Sequence, residues 1–373
     1  MDGKKVNLVG MTEPELSGLA ESLGEERYRG KQLFQWLYGK KVVSFDRMLN
    51  LSKEFRDSLS AAATVETLSL VTARKSERDT TTKFLFELSD GLRIESVLIP
   101  PASHFQDGRE DAGESLERLT LCVSTQVGCP LDCAFCATAS MGFARNLLAG
   151  EIVGQVLKVA AGTGRRITNL VFMGMGEPLM NYENVMKASE ILQEGLGISP
   201  RRITVSTAGW ADRIRQMADE GQSIKLAVSL HSAVDSTRTR LMPVTKRYNV
   251  RALSDAICYY YNKTRRRVTL EQVFFEGVND TREEVAALIR FARRVSCKIN
   301  VIPFHSIEVT GPSGLSARLR PSPRVGEIVG HLRSEKVAVF VRSSSGEDID
   351  AACGQLAVRI KKRSPGAVSR TAL

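Results

Sequence analysis

One stretch, 122–146, restricts this 373-residue chain more than any other: CVSTQVGCPLDCAFCATASMGFARN. It holds four of the seven cysteines, and Cys129, Cys133 and Cys136 stand there in a C-x3-C-x2-C array. Thiolates spaced so closely in a loop after an apolar run can converge on one soft metal centre, because sulfur ligands select zinc or iron–sulfur clusters. Three is the informative number. A structural zinc site is nearly always closed by four protein ligands, whereas a cluster held by three leaves one iron open. Two plainer readings stay open on the residues alone: three core thiols, since free cysteine is often buried, and a zinc site that takes Cys122 as its fourth ligand.

The remaining composition narrows the setting. Apolar residues at 43% and charged residues at 25% are ordinary for a soluble globular chain. Seven cysteines are too few for a disulfide scaffold, and their clustering argues for a reducing, cytoplasmic compartment. The opening MDGKKVNLVGMTEPEL has no apolar core of a signal peptide, and no run of eighteen apolar residues occurs, so no membrane role is expected. Lys and Arg number 52 against 42 Asp and Glu, a net charge of +10 that favours a polyanionic partner, since neutralising phosphates releases counterions.

Four segments are expected. Residues 1–64 read as a small helical unit: Thr12 and Glu15 form a capping box for a helix over 12–23, and further helices are predicted at 30–38 and 52–61. Arg27, Arg29, Lys31, Lys40 and Lys41 flank the middle one, as a solvated basic face or an RNA contact. Residues 65–117 switch to period-two apolar runs, with a hairpin turning at Asp90-Gly91 and a linker over 102–116. In 118–345, strands are expected at 118–124, 168–173, 202–206, 224–230, 267–273 and 298–303. They alternate with helices near 149–162, 181–195, 210–220, 250–262, 281–295 and 323–335, which gives an α/β fold with a parallel sheet. The final segment, 346–373, ends in a basic tail from 359 onward.

The cysteine array, with Phe135 before its third member, resembles the radical S-adenosylmethionine superfamily, whose three cysteines hold one [4Fe–4S] cluster with an iron open to S-adenosylmethionine. STQVGC, FCAT, MGF and RNL narrow the resemblance to the adenine-C2 RNA methyltransferases, the RlmN family, close kin to Cfr. It runs from RYRGKQLFQW to DIDAACGQL. What it implies is a partial (β/α)6 barrel, open at one side for a macromolecular substrate, with an N-terminal accessory domain that helps hold RNA. It also implies a monomer served by an external, flavodoxin-like electron donor.

Active sites of parallel barrels gather at the C-terminal ends of the strands, where the remaining candidates fall. After the second strand, MGMGEP at 173–178 offers backbone approach to a ligand and an acceptor for an ammonium group. The resemblance assigns Gly176 and Glu177 to S-adenosylmethionine, together with Ser206 and the run Ser229, Leu230, His231. On the residues alone, a hydroxyl or imidazole at a strand end could equally cap a helix. His305 stands where many family members have Asn, and either residue can bond adenine or ribose. Cys258 and Cys297 carry no motif and read as core.

Two further cysteines and one carboxylate make the resemblance specific. Cys353, in GEDIDAACGQL, looks like the methyl-accepting cysteine; Cys122 looks like the partner that later forms a transient disulfide with it; Glu95, in RIESVLIP, matches the proton acceptor. C2 of adenine is electron-poor and carries no acidic hydrogen, which blocks ordinary methyl transfer and makes a radical route sensible. The implied route uses two S-adenosylmethionine molecules, one to methylate Cys353 and one to generate a 5′-deoxyadenosyl radical that activates this methyl group for addition to C2. The implied substrates are an adenosine in the peptidyl-transferase region of 23S rRNA and the adenosine 3′ of certain tRNA anticodons. The rivals are a Cfr-type C8 methyltransferase of 23S rRNA and a non-enzymatic RNA-binding protein with zinc on Cys122, Cys129, Cys133 and Cys136.

Overall fold

The computed structural model describes residues 5–101, 118–305 and 319–358; the linker expected at 102–116 and the tail expected from 359 lie outside them. The N-terminal unit comprises β1 (Val6–Asn7), α1 (Glu13–Ser22), α2 (Tyr28–Phe34), α3 (Lys53–Ala62) and β2 (Ala63–Thr64). Its helices start where side chains satisfy the first free amides. Glu15 Oε2 accepts from Thr12 N at 2.8 Å, and Ser52 Oγ accepts from Phe55 N at 3.1 Å. The helix expected at 30–38 begins earlier and widens into a π turn at Gln35–Gly39. Leu16, Leu33, Leu37, Phe55 and Leu59 form the unit's core, and β1 pairs with β2 in parallel to close it.

This unit seats on α4 (Ala149–Thr163) through two glycines. A Cβ on Gly150 would stand 2.0 Å from Val9 O, and Gly10 holds φ +101 beside it. Tyr38 fixes the same junction: its hydroxyl accepts from Gly10 N and donates to Met11 O, both at 2.9 Å.

The β extension is not a separate layer. β3 (Ser69–Lys75), β4 (Thr82–Glu87) and β5 (Arg93–Ile99) pair antiparallel, and β5 pairs antiparallel with β6 (Thr120–Cys122), the first barrel strand. From β6 the sheet continues in parallel through β9 (Asn169–Phe172), β10 (Ile203–Thr207), β11 (Lys225–Ser229), β12 (Val268–Gln272), β13 (Cys297–Val301) and β14 (Val339–Val341). One ten-stranded sheet therefore runs from the hairpin to the last strand. The hairpin joins because β5 offers a buried apolar edge, with Ile94, Val97 and Leu98 inside, to a first barrel strand that would otherwise be an open edge. Between β6 and α4, β7 (Gln126–Gly128) and β8 (Phe143–Asn146) form a small separate ribbon around the cysteine loop.

The helices expected in the barrel are present as α4, α5 (Tyr182–Leu196), α6 (Ala211–Asp219), α8 (Val250–Thr264), α9 (Arg282–Arg294) and α10 (Val325–Ser334). Beyond the short strands β1, β2, β7 and β8, two more elements go past the sequence expectation: α7 (Asp235–Leu241), one of the shortest helices, and β14, a seventh parallel strand of three residues. Among the described residues no helix is long and apolar enough to cross a membrane.

The two ends of α4 give a stability test. Gly150→Ala should destabilise the protein by about 1–3 kcal/mol, because the methyl group meets the Val9 carbonyl. Gly162→Ala, in open space near the end of the same helix, should stabilise it by roughly 0.5–1 kcal/mol. Urea denaturation of both variants measures the difference, and equal midpoints would contradict the glycine contact.

Candidate active site

The residues that follow the parallel strands line two adjoining cavities. In the larger, about 160 Å³, Met173 follows β9, Ala208 β10, His231 β11, Val273 β12 and Ile302 β13. Cys129, Cys133 and Cys136 form its far wall, with Gly176, Glu177, Ser206 and Ser229 beside them. The smaller cavity, about 80 Å³, is lined by Cys122 from β6, Val97 and Ile99 from β5, Arg342 just after β14, and Cys136. Cys353 and Gly354 line both cavities.

Cys353 reaches this position because the chain after β14 crosses back over the sheet. Ala137 N donates to Gly354 O at 2.7 Å, and Thr138 Oγ1 donates to Leu356 O at 2.7 Å, so the loop is bonded to the segment directly after the cysteine array. Gly354 holds φ +84, and a Cβ there would stand 3.0 Å from Phe135 O, so only glycine passes this closely. On the other side, Gly346 N donates to Asp79 Oδ2 at 2.8 Å and Lys83 Nζ to Asp350 O at 3.1 Å, which straps the loop to the β3–β4 hairpin.

The three array cysteines behave as one donor set. Burial pushes the Cys129 thiol up to about 12 and the Cys133 thiol well above its ordinary value, and it raises Cys136 too. Three half-buried thiols that resist ionising and have no disulfide suit a positively charged, sulfur-seeking centre, which would reverse that penalty. Among the described residues no three His, Cys, Asp or Glu side chains are gathered tightly enough for one metal ion; the sulfurs line a wall instead. Cys122 faces the smaller cavity, away from Cys129 and Cys133. The donor set therefore fits a cluster held by three cysteines better than a zinc ion held by four.

Beside the cysteines, Gly176 holds φ +102 and presses on Gln126, where a Cβ would stand 2.6 Å from that side chain. Glu177 is buried; its oxygens accept from Leu179 N at 3.0 Å and Ala208 N at 2.7 Å, and burial raises it to about 6. An ammonium group brought into the cavity would favour its carboxylate. His231 is buried with φ 54, and burial lowers it to about 3, so its ring is neutral. Its Nδ1 accepts from Val273 N at 3.1 Å, which leaves Nε2 as the donor, and the Phe135 ring lies edge-on at 4.5 Å.

Not every expected contact faces the cavity. The Leu230 side chain is core, and its backbone N donates to Glu271 O at 3.0 Å. His305 turns away: Nε2 hydrogen-bonds Ser344 Oγ and Nδ1 lies 3.1 Å from Glu347 Oε1, so it ties the end of β13 to the Cys353 loop.

Glu95 lies on β5, on the same face as Val97 and Ile99 of the smaller cavity. Its Oε1 is 3.4 Å from Lys83 Nζ, and Oε2 is buried without a partner among the described residues. Burial raises its carboxyl above the ordinary value although Lys83 opposes this, a bias toward proton uptake. Cys122, paired in register with Val97, is pushed up to about 12 by burial and then by Cys353. Arg342 Nη1 donates to Cys353 Sγ at 3.8 Å. Arg342, Lys83 and Glu271 stood in no motif and were not singled out from the sequence; strand-end position was the one available signal, and it applied to Arg342 and Glu271.

The thiol pair should differ sharply in reactivity. In metal-free protein at pH 8, iodoacetamide should label the exposed Cys353 at least tenfold faster than the buried Cys122, of which roughly one in ten thousand is ionised. Peptide mass spectrometry over time reads both rates, and equal labelling would contradict the asymmetry.

Comparison with known proteins agrees with this architecture. The family model described as "Ribosomal RNA large subunit methyltransferase N-terminal domain" matches residues 6–65, and the "Radical SAM superfamily" model matches residues 123–292. A curated relative from Thermotoga neapolitana, named "Probable dual-specificity RNA methyltransferase RlmN", is 42% identical over 96% of this chain and 99% of its own. One of the same name from Flavobacterium psychrophilum is 43% identical over 89% of this chain and 92% of its own. Among solved structures, a radical SAM methyltransferase from Sphaerobacter thermophilus superposes with a TM-score of 0.83 at 39% identity, covering 94% of this chain and 99% of that one.

Proposed function

The chain belongs to the RlmN family of radical S-adenosylmethionine RNA methyltransferases, and on that premise we propose that it methylates C2 of adenosine in 23S rRNA and in tRNA, with Cys353 carrying the methyl group. The RNA positions are the peptidyl-transferase region and the adenosine 3′ of the anticodon, and the compartment is the cytoplasm. The observation that carries the reading is the place of Cys353, whose residue lines both the cavity of the three cysteines and the cavity of Cys122.

Cys129, Cys133 and Cys136 would hold the [4Fe–4S] cluster, with Gly176, Glu177, Ser206, Ser229 and His231 around S-adenosylmethionine. When bound, these groups supply an electron and a radical that removes one hydrogen atom from a methyl group. The chain's own residues do the rest. The Cys353 thiolate displaces the methyl group from a first S-adenosylmethionine and becomes a thioether. After that methyl carbon has lost a hydrogen atom and bonded to C2, Glu95 takes the C2 proton and the adduct's one surplus electron returns to the redox centre that supplied it; the raised carboxyl of Glu95 and its partnerless oxygen suit this role. Cys122 then attacks the Cys353 sulfur. A disulfide forms, the sulfur–carbon bond breaks, and the carbon leaves on the base and takes a proton to become the methyl group. An external reductant restores both thiols. Placing Cys122 and Cys353 around one cavity of about 80 Å³ fits this exchange without a large movement. The excess of basic residues fits an RNA substrate, and a base drawn from folded RNA must be unstacked to bring C2 to Cys353.

Three variants test the assignment. Cys122→Ala should accumulate a covalent protein–RNA adduct, seen as a shifted band that ribonuclease trims; release of free methylated RNA at the normal rate would remove its resolving role. Cys353→Ala should lose methylation while keeping its iron, whereas loss of iron would make Cys353 a cluster ligand. Glu95→Gln should slow turnover by about 10²-fold or more, as expected for a lost general base. Nucleoside mass spectrometry of the RNA product distinguishes 2-methyladenosine from the 8-methyl isomer, and finding the latter would favour the Cfr-type reaction.

A further inference from the structure

Arg238 is fully buried behind the wall of the larger cavity. Among the described residues its hydrogen bonds all end on neutral oxygens. Nε donates to Leu230 O at 3.2 Å, Nη1 to Thr245 Oγ1 at 2.7 Å, and Nη2 to Ala208 O at 2.6 Å and Ser229 O at 3.1 Å. These acceptors take four of its five N–H groups and none of its charge. A buried ion without a counter-charge is costly, and proteins normally pair it. Asp235, on the same helix, is exposed, and its carboxylate already accepts from Val250 N at 2.7 Å.

The remaining neighbour able to carry negative charge, once its thiols are deprotonated by a bound centre, is the cysteine wall. α7, which carries Arg238, ends at Leu241, whose carbonyl accepts from Ala134 N at 2.9 Å, between Cys133 and Cys136. Met242 N donates to Arg238 O, and the Met242 side chain lines the cavity together with Cys129 and Cys133. Arg238 thus spans three pieces of the site: the cysteine loop through the end of α7, the end of β10 through Ala208, and the end of β11 through Ser229 and Leu230.

We propose that Arg238 is the built-in counter-charge of the cluster bound at Cys129, Cys133 and Cys136, a positioning residue whose buried positive charge favours the reduced cluster and so sets how easily it accepts an electron. This rests on the cluster assignment made above. The reasoning is electrostatic. Adding one electron to a centre held by three thiolates raises its negative charge, and a fixed cation in a water-excluded wall stabilises the more negative state. Lysine keeps that charge and loses the planar fork that reaches several carbonyls; methionine loses both.

The test uses the full-length protein, purified anaerobically and reconstituted with iron and sulfide, in an electron paramagnetic resonance redox titration without S-adenosylmethionine. At the potential where half of the wild-type cluster is reduced, Arg238→Met should show a reduced-to-oxidised ratio at least tenfold lower, equivalent to about 59 mV for a one-electron couple. Arg238→Lys should stay within about threefold of wild type, because it keeps the charge. A methionine variant that titrates like wild type, or lysine and methionine variants that move together, would overturn the proposal. If the methionine variant cannot hold iron, iron content becomes the readout: retention by the lysine variant supports the charge, and equal loss from both overturns it. Wild-type protein that binds no iron would instead refute the cluster assignment beneath it.

Discussion

The site depends on one crossing of the chain. The segment after β14 returns over the sheet and bonds through Gly354 O to Ala137 N, directly beyond the cysteine array. That contact brings Cys353 beside a wall built more than two hundred residues earlier. Its hydrogen bond is worth about 1 kcal/mol net, so the crossing holds because several contacts cooperate: Thr138 to Leu356, Asp79 to Gly346, and Lys83 to Asp350. The β3–β4 hairpin supplies two of those anchors, which explains why it is fused to the barrel sheet. Its neighbour β5 forms one bank of the smaller cavity and carries Glu95.

Electrostatics in the protein alone is unbalanced. Three half-buried thiols with raised pKa, a raised Glu177 and a buried Arg238 whose hydrogen bonds end on neutral oxygens all stand near one cavity, and each costs free energy as it is. A centre that deprotonates the thiols and an ammonium-bearing ligand that pairs with Glu177 would relieve several of these costs together. Ligand binding to the native state alone raises its stability by mass action, about 2.7 kcal/mol at a concentration one hundred times Kd, so loading this site also stabilises the fold. The same imbalance separates Cys122 from Cys353: one thiol is held protonated by burial, while the other stands exposed beside Arg342.

Much of this was legible in the sequence where local chemistry decides. Thr12 and Glu15 announced α1, the Asp90-Gly91 turn fixed the hairpin, and β-branched runs located six parallel strands to within a few residues. The three cysteines, Gly176, Glu177, Ser206, Ser229 and His231 fell into one cavity because strand ends converge in any parallel barrel. What stayed hidden is set by tertiary contacts. Nothing in VAVFVR shows that three residues will pair as a seventh strand and aim Arg342 at Cys353. Nothing in DSTRTRL separates buried Arg238 from exposed Arg240. His305, read from its neighbours as a cofactor contact, bonds the Cys353 loop instead, because Ser344 and Glu347 reach it across the sheet end.

The central claim is that the methyl group passes through Cys353 and loses a hydrogen atom on the way. Reconstituted enzyme given RNA and S-adenosylmethionine with a fully deuterated methyl group tests it in one measurement, the isotopic mass of the methylated adenosine. Transfer through Cys353 removes one deuterium and returns a proton, so the account predicts a product methyl with two deuteriums and one hydrogen. A product that keeps all three deuteriums would mean direct transfer and would contradict it.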